Sequence, residues 1–186
     1  MAALETPVCE FGVQAPDFRL ADAEGRIHTL ASVRGVKGTL VMFICNHCPY
    51  VRAVIDRIVR DARELTAYGI GSVAIMANDY SRYPDDAPAR MREFAAAHAL
   101  AFPYLIDETQ VVARAYGAVC TPDFFGYGSH LDLQYRGRLD ASRMQPVAGA
   151  PRELFEAMRL VAVTGRGPVT QTPSIGCSIK WRDDAP

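Results

Sequence analysis

Hydrophobic and polar positions along the chain follow two periods that take turns. Leu40, Val41, Met42, Phe43 and Ile44 form an unbroken apolar run, the pattern of a strand buried on both faces. From Val51 the period changes. Val51, Val54, Ile55, Ile58, Ala62 and Leu65 recur at helical spacing, while Arg52, Asp56, Arg57, Arg60, Arg63 and Glu64 fill a solvated face. Gly69 marks the helix stop. A second buried strand covers 70–76. A polar, proline-containing loop over 78–88 holds Asp79 and Arg82 as solvated charges and leads to a helix through Met91, Phe94, Ala95 and His98, with Asp85 or Asp86 as its cap. A third strand lies within 102–106. Asp107 with Gln110 reads as a capping box for a helix reaching Tyr116 and closed by Gly117. Residues 123–136 read as an antiparallel pair, and a last helix runs from near Pro151 to Gly165. Weak alternation at 15–20 and 26–30 around a turn at 22–25 predicts a small hairpin. Residues 1–14 and the tail after 168 show no period.

Strands alternating with helices argue for crossover units and a parallel core sheet, with the antiparallel pair added late. The expected fold is α/β: a central mixed sheet flanked by helices, extended by the N-terminal hairpin. A length of 186 residues fits one domain, with its core at about 10–163 and an irregular tail over 164–186.

Composition narrows the partners. Twenty basic and twenty-one acidic residues give a net charge of −1, so neither nucleic acid nor a membrane surface is expected. No apolar run approaches a membrane span. The opening MAALETPVCEFG has no basic start and no apolar core, so no signal peptide is expected and the expected compartment is the cytoplasm. Five cysteines in that compartment read as reactive, metal-binding or buried rather than as structural disulfides.

The chemistry concentrates where the first strand yields to the first long helix. Cys45 and Cys48 stand there, two residues apart in a Cys-x-x-Cys. The first N–H groups of a helix lack partners and its dipole is positive there, so a thiolate is stabilised. The spacing puts both thiols on one side of the first turn, within reach of a disulfide. Pro49 fits a first-turn position. An imidazolium at His47 favours the thiolate over the disulfide and makes the pair more oxidising. Asn46 reads as a helix cap. A zinc half-site needs two further ligands, and Cys9, Cys120, Cys177, His28, His98 and His130 are scattered, so no metal is expected.

Three features carry a family resemblance. Ala15-Pro16-Asp17-Phe18-x-Leu20 with Gly25 and Leu30 is similar to the N-terminal hairpin of the alkyl hydroperoxide reductase/thiol-specific antioxidant family. Cys45-Asn46-His47-Cys48-Pro49 after a strand resembles the dithiol of thioredoxin folds. Thr121-Pro122 looks like the threonine–cis-proline pair that faces that dithiol. Phe43-x-Cys45 through Val51, with Gly176-Cys177-Ser178-Ile179-Lys180-Trp181, is similar to one subgroup of redoxins. The chain thus resembles the peroxiredoxin-like branch of the thioredoxin-fold superfamily.

The resemblance implies roles. Cys45 would be an exposed attacking thiol and Cys48 a buried resolving one. Pro122, if cis, would sit against the pair, and the backbone of Thr121 would bind a partner as a short strand. Cys120, beside the proline, is a candidate accessory thiol. Two departures are clear: Ile44 stands where thioredoxins have tryptophan, and Asn-His replaces Gly-Pro between the thiols. The expected activity is thiol–disulfide exchange with a disulfide-containing protein or small molecule, recharged by a thiol donor, without cofactor. A peroxiredoxin alignment instead places Cys48 at the peroxide-reducing position, with Arg138 or Arg143 as the supporting arginine. A metal chaperone resembling the redoxin-fold copper carriers and a non-catalytic binding module are the readings from other classes.

Overall fold

Leu40, Met42 and Ile44 bury into one core cluster while Val41 and Phe43 bury into another, which explains the unbroken apolar run. The strand is central, and each face needs apolar side chains. A computed structural model describes residues 3–183. In chain order the strands are β1 (Ala3–Glu5), β2 (Arg19–Asp22), β3 (Ile27–Thr29), β4 (Gly38–Phe43), β5 (Ile70–Met76), β6 (Tyr104–Ile106), β7 (Cys120–Thr121), β8 (Asp123–Gly128), β9 (Leu133–Tyr135) and β10 (Ile175–Ser178). The α-helices are α1 (Leu30–Val33), α2 (Pro49–Thr66), α3 (Pro88–Ala97), α4 (Val111–Ala115) and α5 (Glu153–Thr164).

Seven strands form a mixed sheet in the order β3-β2-β6-β5-β4-β8-β9. The pairs β4/β5 and β5/β6 are parallel, and the others are antiparallel. The apolar faces of α2 and α5 cover one side with Leu40, Met42 and Ile44; α1 and α4 cover the other with Val41 and Phe43. This is a thioredoxin-like fold, and β2/β3 is the N-terminal hairpin that the alternation predicts.

Several local expectations need correction. The stretches read as irregular at both ends of the chain each contribute a strand. β10 pairs with β1 and with β7, giving a second, three-stranded antiparallel sheet. Strands this short carry no visible period. The cap of α3 is Ala87, with no side-chain bond, because Asp86 turns inward to other duties. The Asp107–Gln110 capping box does not form: Gln110 is the left-handed N-cap of α4, and its amide donates to the carbonyls of Ala77 and Lys180 instead. Asp79, read as a solvated charge, is buried and accepts from Ser81. The basic face of α2 is partly tied down, since Arg57 meets Asp140 at 2.6 Å and Asp61, buried on the same helix, holds Arg152 at 2.6 Å.

Candidate active site

Cys48 is the N-cap of α2, with φ −68° and ψ 121°, and Pro49 takes the first helical position. Cys45 therefore lies before the helix, in the turn after β4, rather than beside Cys48 on the first turn as the spacing suggested. The Arg52 N–H donates to the Cys48 carbonyl at 2.9 Å. Cys48 thus stands at the positive end of the helix dipole, and its sulfur makes no capping hydrogen bond to the helix amides.

Both sulfurs are enclosed. Cys45 is 1% exposed and Cys48 0%, which corrects the expectation of an exposed Cys45. The cause is a lid and a floor. On one side lies the Thr121–Pro122 pair, joined by a cis peptide bond. Thr121 Oγ1 is 3.4 Å from Cys45 Sγ, and the Cys48 S–H donates to the Thr121 carbonyl at 3.0 Å. On the other side the turn is drawn inward by Asp86. Its Oδ1 accepts from the Asn46 N–H at 2.8 Å and its Oδ2 from the Asn78 amide at 2.8 Å. Asn46 does not cap the helix. Its amide donates to the Asp85 carbonyl at 2.9 Å, and its oxygen accepts from Tyr104 Oη at 3.0 Å.

These contacts decide which thiol loses its proton. The Cys45 thiol beside it, with help from Thr121 and against burial, brings Cys48 down to about 5. The same pairing keeps the proton on Cys45, and burial and the Asp86 charge add to it, so Cys45 lies well above an ordinary thiol. The pair thus favours the thiolate form of Cys48 over that of an ordinary thiol.

His47 stacks on Tyr83, ring centroids 5.8 Å apart, with Nδ1 2.7 Å from Asp86 Oδ2. Asp86 holds the imidazole pKa up against burial, and the Cys48 charge adds to it. A surface depression of ≈ 400 Å³, lined by Asn46, His47, Arg52, Phe94 and His98 among others, opens on this side. Donor atoms of Cys45, His47 and Asp86 lie within 4.8 Å of one another, so the fold supplies a sulfur–nitrogen–oxygen set that suits zinc and that sequence spacing did not disclose. Both Asp86 oxygens already serve the turn.

The other cysteines divide sharply. Cys120, the expected accessory thiol, lies beside Pro122 but directs its S–H to the Pro122 carbonyl at 3.6 Å, and burial pushes its pKa well up. Cys177, on β10 opposite Thr121, shares the buried cluster of Cys45 and Cys48. Arg138 is held by Glu153 at 2.7 Å; with Arg143 it lines a small cavity beside Pro122. Sequence reasoning missed the part played by Asp86 and Tyr104, which lie on unrelated segments with no motif of their own.

A hairpin, a buried dithiol at a helix N-terminus and an opposing cis-proline fit one family model, which matches residues 11–140. The chain belongs to the AhpC/TSA family. An uncharacterized conserved protein from Geobacillus kaustophilus is 43% identical, with a TM-score of 0.92 over 100% of this chain and 99% of that one. The thiol-disulfide oxidoreductase ResA of Geobacillus thermodenitrificans is 31% identical over 121 residues. That match spans 61% of this chain and 61% of ResA, less than two thirds of the curated relative's length. The thioredoxin domain of a thiol-disulfide oxidoreductase from Bacteroides vulgatus, 16% identical, shares the fold, with a TM-score of 0.57 over 74% of this chain and 91% of that one.

Proposed function

We propose that this AhpC/TSA protein is a thiol–disulfide oxidoreductase in which Cys48 attacks and Cys45 resolves. The observation that carries the reading is the placement of the pair: Cys48 is the N-cap of α2, at the positive end of the helix dipole, and Cys45 lies in the turn before it, an arrangement that lowers the Cys48 pKa and raises that of Cys45. The Cys48 thiolate attacks one sulfur of a substrate disulfide, and the other substrate sulfur leaves as a thiol. Cys45 then gives up its proton and attacks Cys48 Sγ, closing the Cys45–Cys48 disulfide and freeing the second substrate thiol. An external thiol donor restores the dithiol. Asp86 favours the charged form of His47, and that imidazolium adds positive potential that favours the Cys48 thiolate. The family and the ResA match support redox chemistry of this class.

Peroxide reduction is the second reading, and the burial of both sulfurs favours it, because a small oxidant enters where a folded partner does not. Cys48 would then take an oxygen to become a sulfenic acid, and Cys45 would condense with it, releasing water.

The test is to mix the Cys45→Ser protein with glutathione disulfide and, separately, with hydrogen peroxide, and to map the first modified cysteine by mass spectrometry. A mixed disulfide on Cys48, formed faster than any sulfenic acid, supports the proposal. Faster sulfenic acid at Cys48 favours the second reading. An unmodified Cys48 sinks both.

A further inference from the structure

The backbone of Thr121 is where the resemblance seats a partner's strand, and the chain's own tail already lies there. β10 runs antiparallel to β7, with Cys177 opposite Thr121 and Ser178 opposite Cys120. The seat is close: a Cβ on Gly176 would fall 2.1 Å from the Thr121 carbonyl oxygen. The strand is fastened on both sides of Cys177. Ser174 exchanges hydrogen bonds with Thr6 and donates to the Pro122 carbonyl at 2.8 Å. The Lys180 N–H donates to Asn78 at 2.9 Å, and its carbonyl accepts from the Asp79 N–H and the Gln110 amide. The Cys177 side chain, 3% exposed, lies in the same buried cluster as Cys45 and Cys48, opposite the Thr121 whose carbonyl takes the Cys48 S–H at 3.0 Å.

We propose that Cys177 is a third redox thiol of this site, forming a disulfide with Cys48, so that the tail strand is a tethered internal substrate. The inference rests on the reading of Cys48 as the nucleophile. Starting from the Cys45–Cys48 disulfide, the Cys177 sulfur attacks Cys48 Sγ. The Cys48–Cys177 bond forms, the Cys45–Cys48 bond breaks, and the proton lost by Cys177 passes to the departing Cys45 sulfur. No electrons enter or leave, and two disulfide isomers share one oxidation level. In the resting protein burial, with the Cys48 thiolate beside it, holds the Cys177 thiol at about 12. Oxidation of Cys48 removes that charge, and the Lys180 ammonium favours the Cys177 thiolate. With Cys45 absent, Cys177 takes the resolving role toward any adduct on Cys48.

The experiment treats the Cys45→Ser protein and the Cys45→Ser/Cys177→Ala protein with glutathione disulfide and maps linked peptides by mass spectrometry. In the single variant a Cys48–Cys177 crosslink should replace the glutathione adduct; in the double variant the adduct on Cys48 should persist. Adding Gly176→Ala to Cys45→Ser changes no sulfur but crowds the strand off Thr121, and should slow crosslinking roughly tenfold, the scale of an overpacking penalty. A lasting adduct on Cys48 in the single variant, without crosslink, overturns the role of Cys177 and leaves Cys48 as the nucleophile. No adduct on Cys48 in either variant overturns both.

Discussion

His47 Nδ1 stands 2.7 Å from Asp86 Oδ2, and the Asp86 side chain is wholly buried. The carboxylate also accepts from the Asn46 N–H and the Asn78 amide, so one charge orients the turn between the thiols and the imidazole inside that turn. Cys45, His47 and Cys48 are thereby fixed relative to one another by a residue 38 or more positions away in sequence, in a loop after β5.

His47 should titrate above the ordinary histidine value of 6.5, because the Asp86 carboxylate favours its charged form. A raised folded value contributes stability that is fully present below about 6.5 and fades as pH climbs through the folded value. Asp86→Asn should bring the His47 titration down, and the part of its stability cost that comes from His47 should shrink toward alkaline pH. Proton NMR of the imidazole ring across pH checks the first point; an unmoved titration in Asp86→Asn contradicts it.

Asp86→Ala removes a buried carboxylate with three partners. It leaves the Asn46 N–H and the Asn78 amide unpaired and strands the His47 charge. A loss of about 3–5 kcal/mol is expected, the usual scale for breaking a buried charged network. Urea unfolding measures it, and a loss under about 1 kcal/mol would show that the network holds little.

Cys45→Ala deletes the thiol that does most to stabilise the Cys48 thiolate. Hydrogen bonds to charged groups are worth about 1.5–3 kcal/mol, so the Cys48 pKa should rise by roughly one to two units. In the reduced wild-type protein the depressed Cys48 value contributes stability present above the ordinary thiol range and lost as pH falls through about 5. Unfolding of the reduced protein should therefore become easier on acidification across that window, and less steeply so in Cys48→Ser.

The hairpin, the strand–dithiol–helix unit and the Thr121–Pro122 turn were legible because each rests on a local signal: alternation, an apolar run meeting a helical period, or a short motif. What escaped was set by distance along the chain. β10 is four residues with no period, and it finds its place only because Gly176 allows a backbone contact with Thr121, far earlier in sequence. Asp86 looked like a helix cap since Asp before Pro88 is a common start, but the fold needed its charge inside. The placement of the thiols also escaped: α2 begins at Pro49, so Cys48 is its N-cap and Cys45 lies before it, and a Cys-x-x-Cys does not fix that register.

The central claim is that the dithiol keeps its negative charge on Cys48. Ultraviolet thiolate absorbance of the reduced protein against pH, repeated in Cys45→Ser and in Cys48→Ser, tests it directly. A step near pH 5 should appear in the wild type, persist at a higher pH in Cys45→Ser, and vanish in Cys48→Ser. A low-pH step that survives in Cys48→Ser and is lost in Cys45→Ser would place the thiolate on the other sulfur and contradict the account.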